Sequence, residues 1–171
     1  MTRVDFYILP DSTPNGRLAL ACQLTEKAHA QGHPVYLHAA SASMARHLDS
    51  MLWVARQNSF LPHGLVEDVL PPIPPILIGD ERGPEMLGTP IASVLASMYT
   101  LLRPTTDAPP WESSAAVGTV LINLSADVPS FYGHFARVVE LVDQEEPTLM
   151  AGRLRFARYR ELGITPENHK L

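Results

Sequence analysis

The sequence predicts an α/β protein with an open, mostly parallel sheet of about five or more strands and helices on both faces. Three observations lead to this prediction. Short runs of β-branched and aromatic residues alternate with longer segments in which apolar residues recur at helical spacing. The stretch from Gly118 to Leu124 is strongly apolar, as in a central strand covered on both faces. The 171 residues, 46% of them hydrophobic, are enough to build one such core.

The first half of the chain predicts strands and helices in alternation. Pro10 ends the first apolar run, Gly32 ends the first helical pattern, and Ser41 or Ser43 is placed to cap the second helix. We expect the first two strands to form a parallel pair joined through the first helix. The elements in order are a strand at Val4–Leu9, a helix at 17–31, a strand at 34–39 and a helix from 41 to Met51 or Trp53.

The second half continues the alternation after a loop at 59–63. Pro129 is placed at the first turn of a short helix, and Glu145 and Glu146 stand at the positive end of the terminal helix. We expect 137–143 to be the last strand. The elements in order are a strand at 75–80, a helix at Ile91–Leu102, a strand at 118–124, a short helix at 129–135, a strand at 137–143 and a terminal helix to about Gly163.

The domain prediction is a single α/β domain over 1–171 with a proline-rich insertion at about 81–117. Nine of the sixteen prolines lie between Pro71 and Pro110. Such a density of proline interrupts regular structure, so the insertion is predicted to hold one helix and a loose run.

Composition and motifs exclude several classes of function. The net charge of −5 disfavours strong direct DNA binding, and we expect no membrane segment and a cytoplasmic location. The turn 10–16 offers a single glycine, Gly16, so neither a dinucleotide fingerprint nor a phosphate-binding loop is present. Cys22 is predicted to be a core residue. His29 and His33 are four apart, but Gly32 breaks the helix between them, so we predict no metal and no cofactor.

The terminal helix carries the densest group of positive charges. Arg153, Arg155, Arg158 and Arg160 lie within eight residues of an otherwise acidic chain, and two aromatic residues stand among them. Helical spacing places Arg153, Phe156 and Arg160 on one face, with Arg155 leaning outward. On the pattern alone, a solvated basic helix is the simpler interpretation. The alternative is a site for a partner that presents a carboxylate beside an apolar group.

A second conspicuous stretch contains large aromatic residues next to a loop. It runs from Leu52 to Gly64 and includes Trp53, Phe60, Pro62 and His63. A core aromatic pair that pins the loop is slightly favoured over an exposed anchor for a partner.

The order of these landmarks resembles the chi subunits of bacterial DNA polymerase III. The resemblance covers nearly the whole chain except about 81–117, and no single motif in it is specific. The matching segments are Val4–Leu9, Leu52-Trp53 followed by 59–63, Val120–Leu124, Arg137–Asp143, and Arg153-x-Arg155-Phe156-x-x-Tyr159-Arg160-x-x-Gly163.

The resemblance implies a non-catalytic accessory subunit of the polymerase holoenzyme that acts in DNA replication in the bacterial cytoplasm. It implies two protein partners: the psi subunit, which tethers chi to the clamp loader, and the C-terminal tail of single-stranded DNA-binding protein (SSB). This tail is acidic and ends in a phenylalanine with a free carboxylate. By resemblance, Arg153, Phe156 and Val142 match tail-contacting positions, and Arg158 is a nearby candidate. Trp53, Phe60, Pro62 and His63 are assigned to partner binding, with psi as the candidate.

The chain departs from the family pattern at one functional position. Family members often carry a lysine one turn before the arginine, where this chain has Leu149. We therefore expect either weaker tail binding or contacts from Arg158 and Arg155 to the acids of the tail.

The alternative function is a small α/β enzyme acting on a nucleotide or phosphoester. Its site would lie at the carboxyl ends of the strands, near Asp11, Ser12, Asp80 and Asn123. None of these four residues has a catalytic partner at a recognisable spacing.

Overall fold

The computed structural model of the protein describes residues 2–55, 61–102 and 118–171. Within these ranges the chain forms one sheet, in the order β3-β4-β2-β5-β6-β1-β7, and every neighbouring pair is parallel. The predicted class, an α/β fold with a mostly parallel open sheet, is confirmed. The strands are Arg3–Ile8 (β1), Val35–His38 (β2), His63–Leu65 (β3), Ile76–Gly79 (β4), Val120–Asn123 (β5), Arg137–Val142 (β6) and Glu167–Lys170 (β7).

Helices cover both faces of this sheet. In the described ranges they are Gly16–Ala30 (α1), Ala42–Val54 (α2), Ile91–Leu102 (α3) and Glu146–Glu161 (α4). Because side chains alternate along a strand, Leu37 packs into the core beneath α1 and α2, and its neighbour Tyr36 packs beneath α3 and α4. The predicted helix boundaries hold within one or two residues, and the Ser41 side chain caps α2 by accepting a hydrogen bond from the Met44 N–H at 3.1 Å.

The strands β1 and β2 are parallel but do not pair, which corrects one expectation. β5 and β6 lie between them, and β1 pairs with β6 and β7. A strand–helix–strand unit fixes the direction and handedness of the connection but not the number of strands that it crosses.

Two strands were not predicted. β3 has three residues and follows Pro62, and β7 has the polar sequence Glu-Asn-His-Lys. Neither shows the alternation of apolar and polar residues that identifies a half-buried strand. The prediction that 137–143 is the last strand was therefore wrong, because β7 follows α4 and pairs with β1.

The short helix predicted at 129–135 is reduced to a 3-10 turn at Tyr132–His134. In the proline-rich segment the structure describes a 3-10 helix at Pro84–Leu87 and the predicted helix Ile91–Leu102, which buries Val94, Leu95 and Met98 in the core. Residues 103–117 lie outside the described ranges. No helix in the described part of the chain is long and apolar enough to cross a membrane.

Candidate functional site

The helix α4 lies very close to the end of β6. A Cβ atom added to Gly152 would come within 2.8 Å of Val142 Cγ2, which is closer than real Cβ atoms approach other heavy atoms. Glycine at this position therefore allows the helix backbone to rest on the Val142 side chain. Val142, predicted as a wall of the tail pocket, is 5% exposed and lies beneath this part of the helix.

An aromatic cluster fixes the side of α4 that faces β1. The ring centroid of the half-buried Phe156 lies 5.3 Å from that of Phe6 at an interplanar angle of 61°, and Tyr159 packs on Phe6 at 6.2 Å. Edge-to-face pairs of this kind restrict ring motion. Phe156 is thus held in place while part of its ring stays accessible to a ligand.

Arg153 lies one turn before Phe156 and is exposed. Within the described residues, no ion pair or side-chain hydrogen bond holds its guanidinium. Arg158 differs, since its Nη1 atom donates to Glu161 at 3.1 Å on the exposed side of the helix. Arg153 is therefore the better placed of the two to bind an external carboxylate.

Arg155 does not lean outward as the sequence predicted. It is 3% exposed, and its Nε donates to Glu140 Oε2 at 2.7 Å. Its Nη1 donates to the Ala126 carbonyl oxygen at 3.1 Å. Arg155 therefore cannot meet the acids of a partner, and the expected contribution from this residue is withdrawn.

Glu140, which sequence reasoning missed, is the centre of a buried polar cluster. Its Oε1 accepts hydrogen bonds from the Tyr159 hydroxyl at 2.7 Å and from Asn123 Nδ2 at 2.9 Å. Complete burial raises the pKa of Glu140, while the Arg155 guanidinium acts in the opposite direction. Burial, together with the neighbouring Glu140 carboxylate, also raises the pKa of Tyr159. One signal was available in the sequence: an acidic residue in the middle of an apolar strand requires a buried partner.

Two apolar side chains flank Arg153 on the surface of α4. Met150 is 56% exposed and Leu154 is 72% exposed. Leu149, where the resemblance led us to expect a lysine, is half-buried against the core. The surface around Arg153 therefore combines one unpaired guanidinium with apolar groups.

The second predicted surface lies at the opposite end of the sheet. Trp53 is 57% exposed, and its ring centroid lies 4.9 Å from that of His63 on the edge strand β3. His63 is held between the Leu61 carbonyl oxygen, 2.6 Å from Nδ1, and Asp49, 3.3 Å from Nε2. Pro62 is half-buried. Phe60 lies outside the described residues.

Among the described residues, one group of side chains has the spacing of metal ligands: Asp5, Glu167 and His169. Its central carboxylate is already engaged, because Asp5 accepts hydrogen bonds from Arg137 at 2.8 Å, from Arg3 at 3.0 Å and from His169 at 2.7 Å. Two arginines around the carboxylate disfavour a cation there. We interpret the group as an anchor between β1 and β7.

The residues proposed for an enzymatic site do not converge. Asp80 binds Arg82, Asn123 binds Glu140, and the exposed Asp11 binds Thr13. Asp80 follows β4 and Asp11 follows β1, which lie four strands apart, or about 19 Å. Cys22 is buried as predicted, and burial raises the pKa of its thiol to about 11.

The chain was compared with known proteins. Residues 1–167 match the profile of the family described as DNA polymerase III chi subunit, HolC. The chain is similar to DNA polymerase III subunit chi of Pseudomonas aeruginosa, with 36% identity over 171 residues that cover 100% of this chain and 98% of the relative.

Two further relatives carry the same name. The protein of Escherichia coli is 26% identical over 96% of this chain and 95% of its own length. That of Haemophilus influenzae is 23% identical over 95% of this chain and 94% of its own length. Together with the family match over almost the whole length, these similarities show that the chain belongs to the chi subunit family of DNA polymerase III.

Proposed function

We propose that this chain is a non-catalytic accessory subunit that bridges the clamp loader, through psi, to the C-terminal tail of SSB in the bacterial cytoplasm. The observation that carries the proposal is the pairing of an exposed, unpaired Arg153 with the half-buried ring of Phe156 on the firmly packed helix α4. The family membership supplies the replication context.

The tail site suits an acidic peptide that ends in phenylalanine. The Arg153 guanidinium can bind the terminal carboxylate through two parallel hydrogen bonds, and Phe156 with the exposed Met150 and Leu154 offers apolar contacts to the partner ring. Val142, predicted to contact the tail, is almost fully covered and supports the helix from beneath. Burial of one such ring contributes roughly 1.5–3 kcal/mol, and exposed charge pairs add about 0–1 kcal/mol each. A disordered tail also loses entropy when it binds, so these small contributions favour weak and readily reversible binding.

The proposed psi surface is the exposed Trp53 with its neighbours Pro62 and His63. The exposed indole ring resembles the aromatic anchors that dominate protein interfaces. Phe60, which the resemblance also assigned to partner binding, lies outside the described residues. Co-purification of psi with wild-type protein, and its loss from Trp53→Ala, would test this assignment.

The tail site is tested by fluorescence anisotropy with a labelled acidic peptide that ends in free phenylalanine. We expect Arg153→Ala to raise the Kd about tenfold or more, since the charged anchor of the carboxylate is lost. The matched control is Arg46→Ala, which removes an exposed arginine from α2 on the other face of the sheet and should leave the Kd unchanged. Equal affinity in wild type and Arg153→Ala would reject this site.

A further inference from the structure

Glu140 holds two residues of α4 that lie one helical turn apart. Its Oε2 accepts a hydrogen bond from Arg155 Nε at 2.7 Å, and its Oε1 accepts one from the Tyr159 hydroxyl at 2.7 Å. Glu140, Arg155 and Tyr159 are 0%, 3% and 0% exposed, respectively. The carboxylate therefore contacts the helix at two points along its axis, from a strand in the interior of the sheet.

The carboxylate is itself fixed from the neighbouring strand. Asn123 on β5 donates from Nδ2 to Glu140 Oε1 at 2.9 Å, and the Asn123 carbonyl oxygen Oδ1 accepts from the Ser125 hydroxyl at 2.7 Å. Arg155 also reaches the loop after β5 through the Ala126 carbonyl oxygen. All the side chains that bind Glu140 are donors, an arrangement that suits an ionised carboxylate.

This attachment, together with the aromatic contacts to Phe6, sets the rotation of α4 about its own axis. Successive residues of an α-helix are about 100° apart, so Arg155 and Tyr159 differ by only about 40° and both reach Glu140. Arg153 is about 200° from Arg155 by the same geometry, so it must face outward when Arg155 faces inward. Phe156 falls about 100° to one side, where it meets Phe6.

Burial of apolar residues explains only part of this rotation, since Leu149, Phe156 and Tyr159 pack against the core but Leu154 does not. Leu154 is 72% exposed while its neighbour Arg155 is 3% exposed, and Met150 is also exposed. The hydrophobic effect alone would favour the opposite assignment, with leucine inside and arginine outside. The bonds to Glu140 therefore explain why Arg155, rather than Leu154, is buried beside the apolar face of the helix.

We propose that Glu140 is a positioning residue for the tail site: by holding Arg155 and Tyr159, it turns Arg153 outward beside Phe156. Glu140 does not touch the tail itself. This inference rests on the proposed tail site and adds a residue on which its affinity depends.

The test measures the Kd of the labelled tail peptide for Glu140→Gln at a temperature at which the variant is fully folded by near-ultraviolet circular dichroism. Glutamine preserves the volume of the Glu140 side chain. It replaces one carboxylate oxygen, which accepts hydrogen bonds, with an NH₂ group that faces other donors. We expect the Kd to rise about tenfold, comparable to Arg153→Ala, because the contacts of Arg155 and Tyr159 that fix the rotation of α4 are weakened.

Leu48→Ala is the matched control for a purely structural effect. Leu48 is 0% exposed on α2, on the other face of the sheet, so the variant should lose thermal stability without a change in Kd. Tyr159→Phe removes a single hydrogen bond and provides a milder variant, with an expected rise in Kd of about threefold.

The outcomes separate the two proposals. If wild type binds the peptide and Glu140→Gln binds it equally well, Glu140 has only a structural role and the inference is wrong. If Tyr159→Phe leaves the Kd unchanged as well, Glu140 does not position the tail site. This result does not depend on whether Glu140→Gln folds correctly. If wild type does not bind the peptide, the proposed tail site itself is wrong.

Discussion

Gly152 sets how closely α4 approaches the sheet. In an unconstrained helix, glycine to alanine stabilises by about 1 kcal/mol through helix propensity. Here the new methyl group would meet Val142 Cγ2 at 2.8 Å, and valine has little freedom to move aside. Overpacking of this kind costs about 1–3 kcal/mol, so the clash should outweigh the gain in propensity.

We therefore predict that Gly152→Ala lowers the free energy of unfolding, measured by urea denaturation. Gly133→Ala is the control, because a Cβ at Gly133 would meet no atom within 4 Å. A Gly152→Ala variant as stable as wild type would contradict the close contact between α4 and β6.

The sequence predicted that Arg153 and Phe156 lie on one helix, but not how the neighbouring arginines are used. The spacing of Arg153 and Phe156 correctly places both on α4, and their order in the chain carries the resemblance to chi subunits. The burial of Arg155 could not be predicted, because it depends on Glu140 and Asn123, which come from two strands that only the folded sheet brings together. Local periodicity contains no information about such a contact.

At the level of elements, β7 adds a contact to one buried carboxylate to its backbone pairing with β1. Asp5 on β1 binds His169 of β7 at 2.7 Å and Arg137 of β6 at 2.8 Å. Burial raises the pKa of Asp5. The hydrogen bonds from His169 and Arg137, together with the charge of Arg137, lower the pKa by more than burial raises it, so the pKa of Asp5 lies below its ordinary value. This contact supplements the backbone pairing of β7 with β1, the ion pair of Glu167 with Arg3 and the stacking of His169 on Tyr7.

This shift predicts a loss of stability in acid. A carboxyl group with a depressed pKa in the folded state contributes stability above its unfolded pKa of about 3.9, and loses it as the pH falls through the lower folded value. Asp5→Asn should therefore be less stable than wild type at pH 6, and the difference should shrink below about pH 4.

Urea denaturation at a series of pH values measures the difference. The exposed Asp68→Asn provides a control that should track wild type throughout. A stability gap between wild type and Asp5→Asn that stays constant down to pH 3 would show that the ionisation of Asp5 does not stabilise the attachment of β7.

Long elements were predictable and short ones were not. Helix α3 has the predicted bounds, and α1 and α2 lie within a residue or two of theirs, because each has an apolar face repeated over several turns. β3 and β7 have three and four residues, and their existence depends on pairing with β4 and β1 rather than on their own composition.

At the scale of the whole molecule, the two proposed surfaces are far enough apart to be occupied together. β3 forms one edge of the sheet, and β6, which carries α4, lies four strands away, or about 19 Å. α2, which carries Trp53, and α4 also cover opposite faces. An adaptor requires this separation, because its two partners must bind without excluding each other.

The most direct measurement is whether this chain links psi to the SSB tail. A labelled acidic peptide with a free C-terminal phenylalanine is mixed with the chain and psi and followed by gel filtration. We predict that the label elutes with the complex of chain and psi and that amidation of the peptide C-terminus abolishes this. Arg153→Ala should lose the label but keep psi, and Trp53→Ala should lose psi but keep the label. Competition between psi and the peptide, or label that co-elutes equally with Arg153→Ala, would contradict the account.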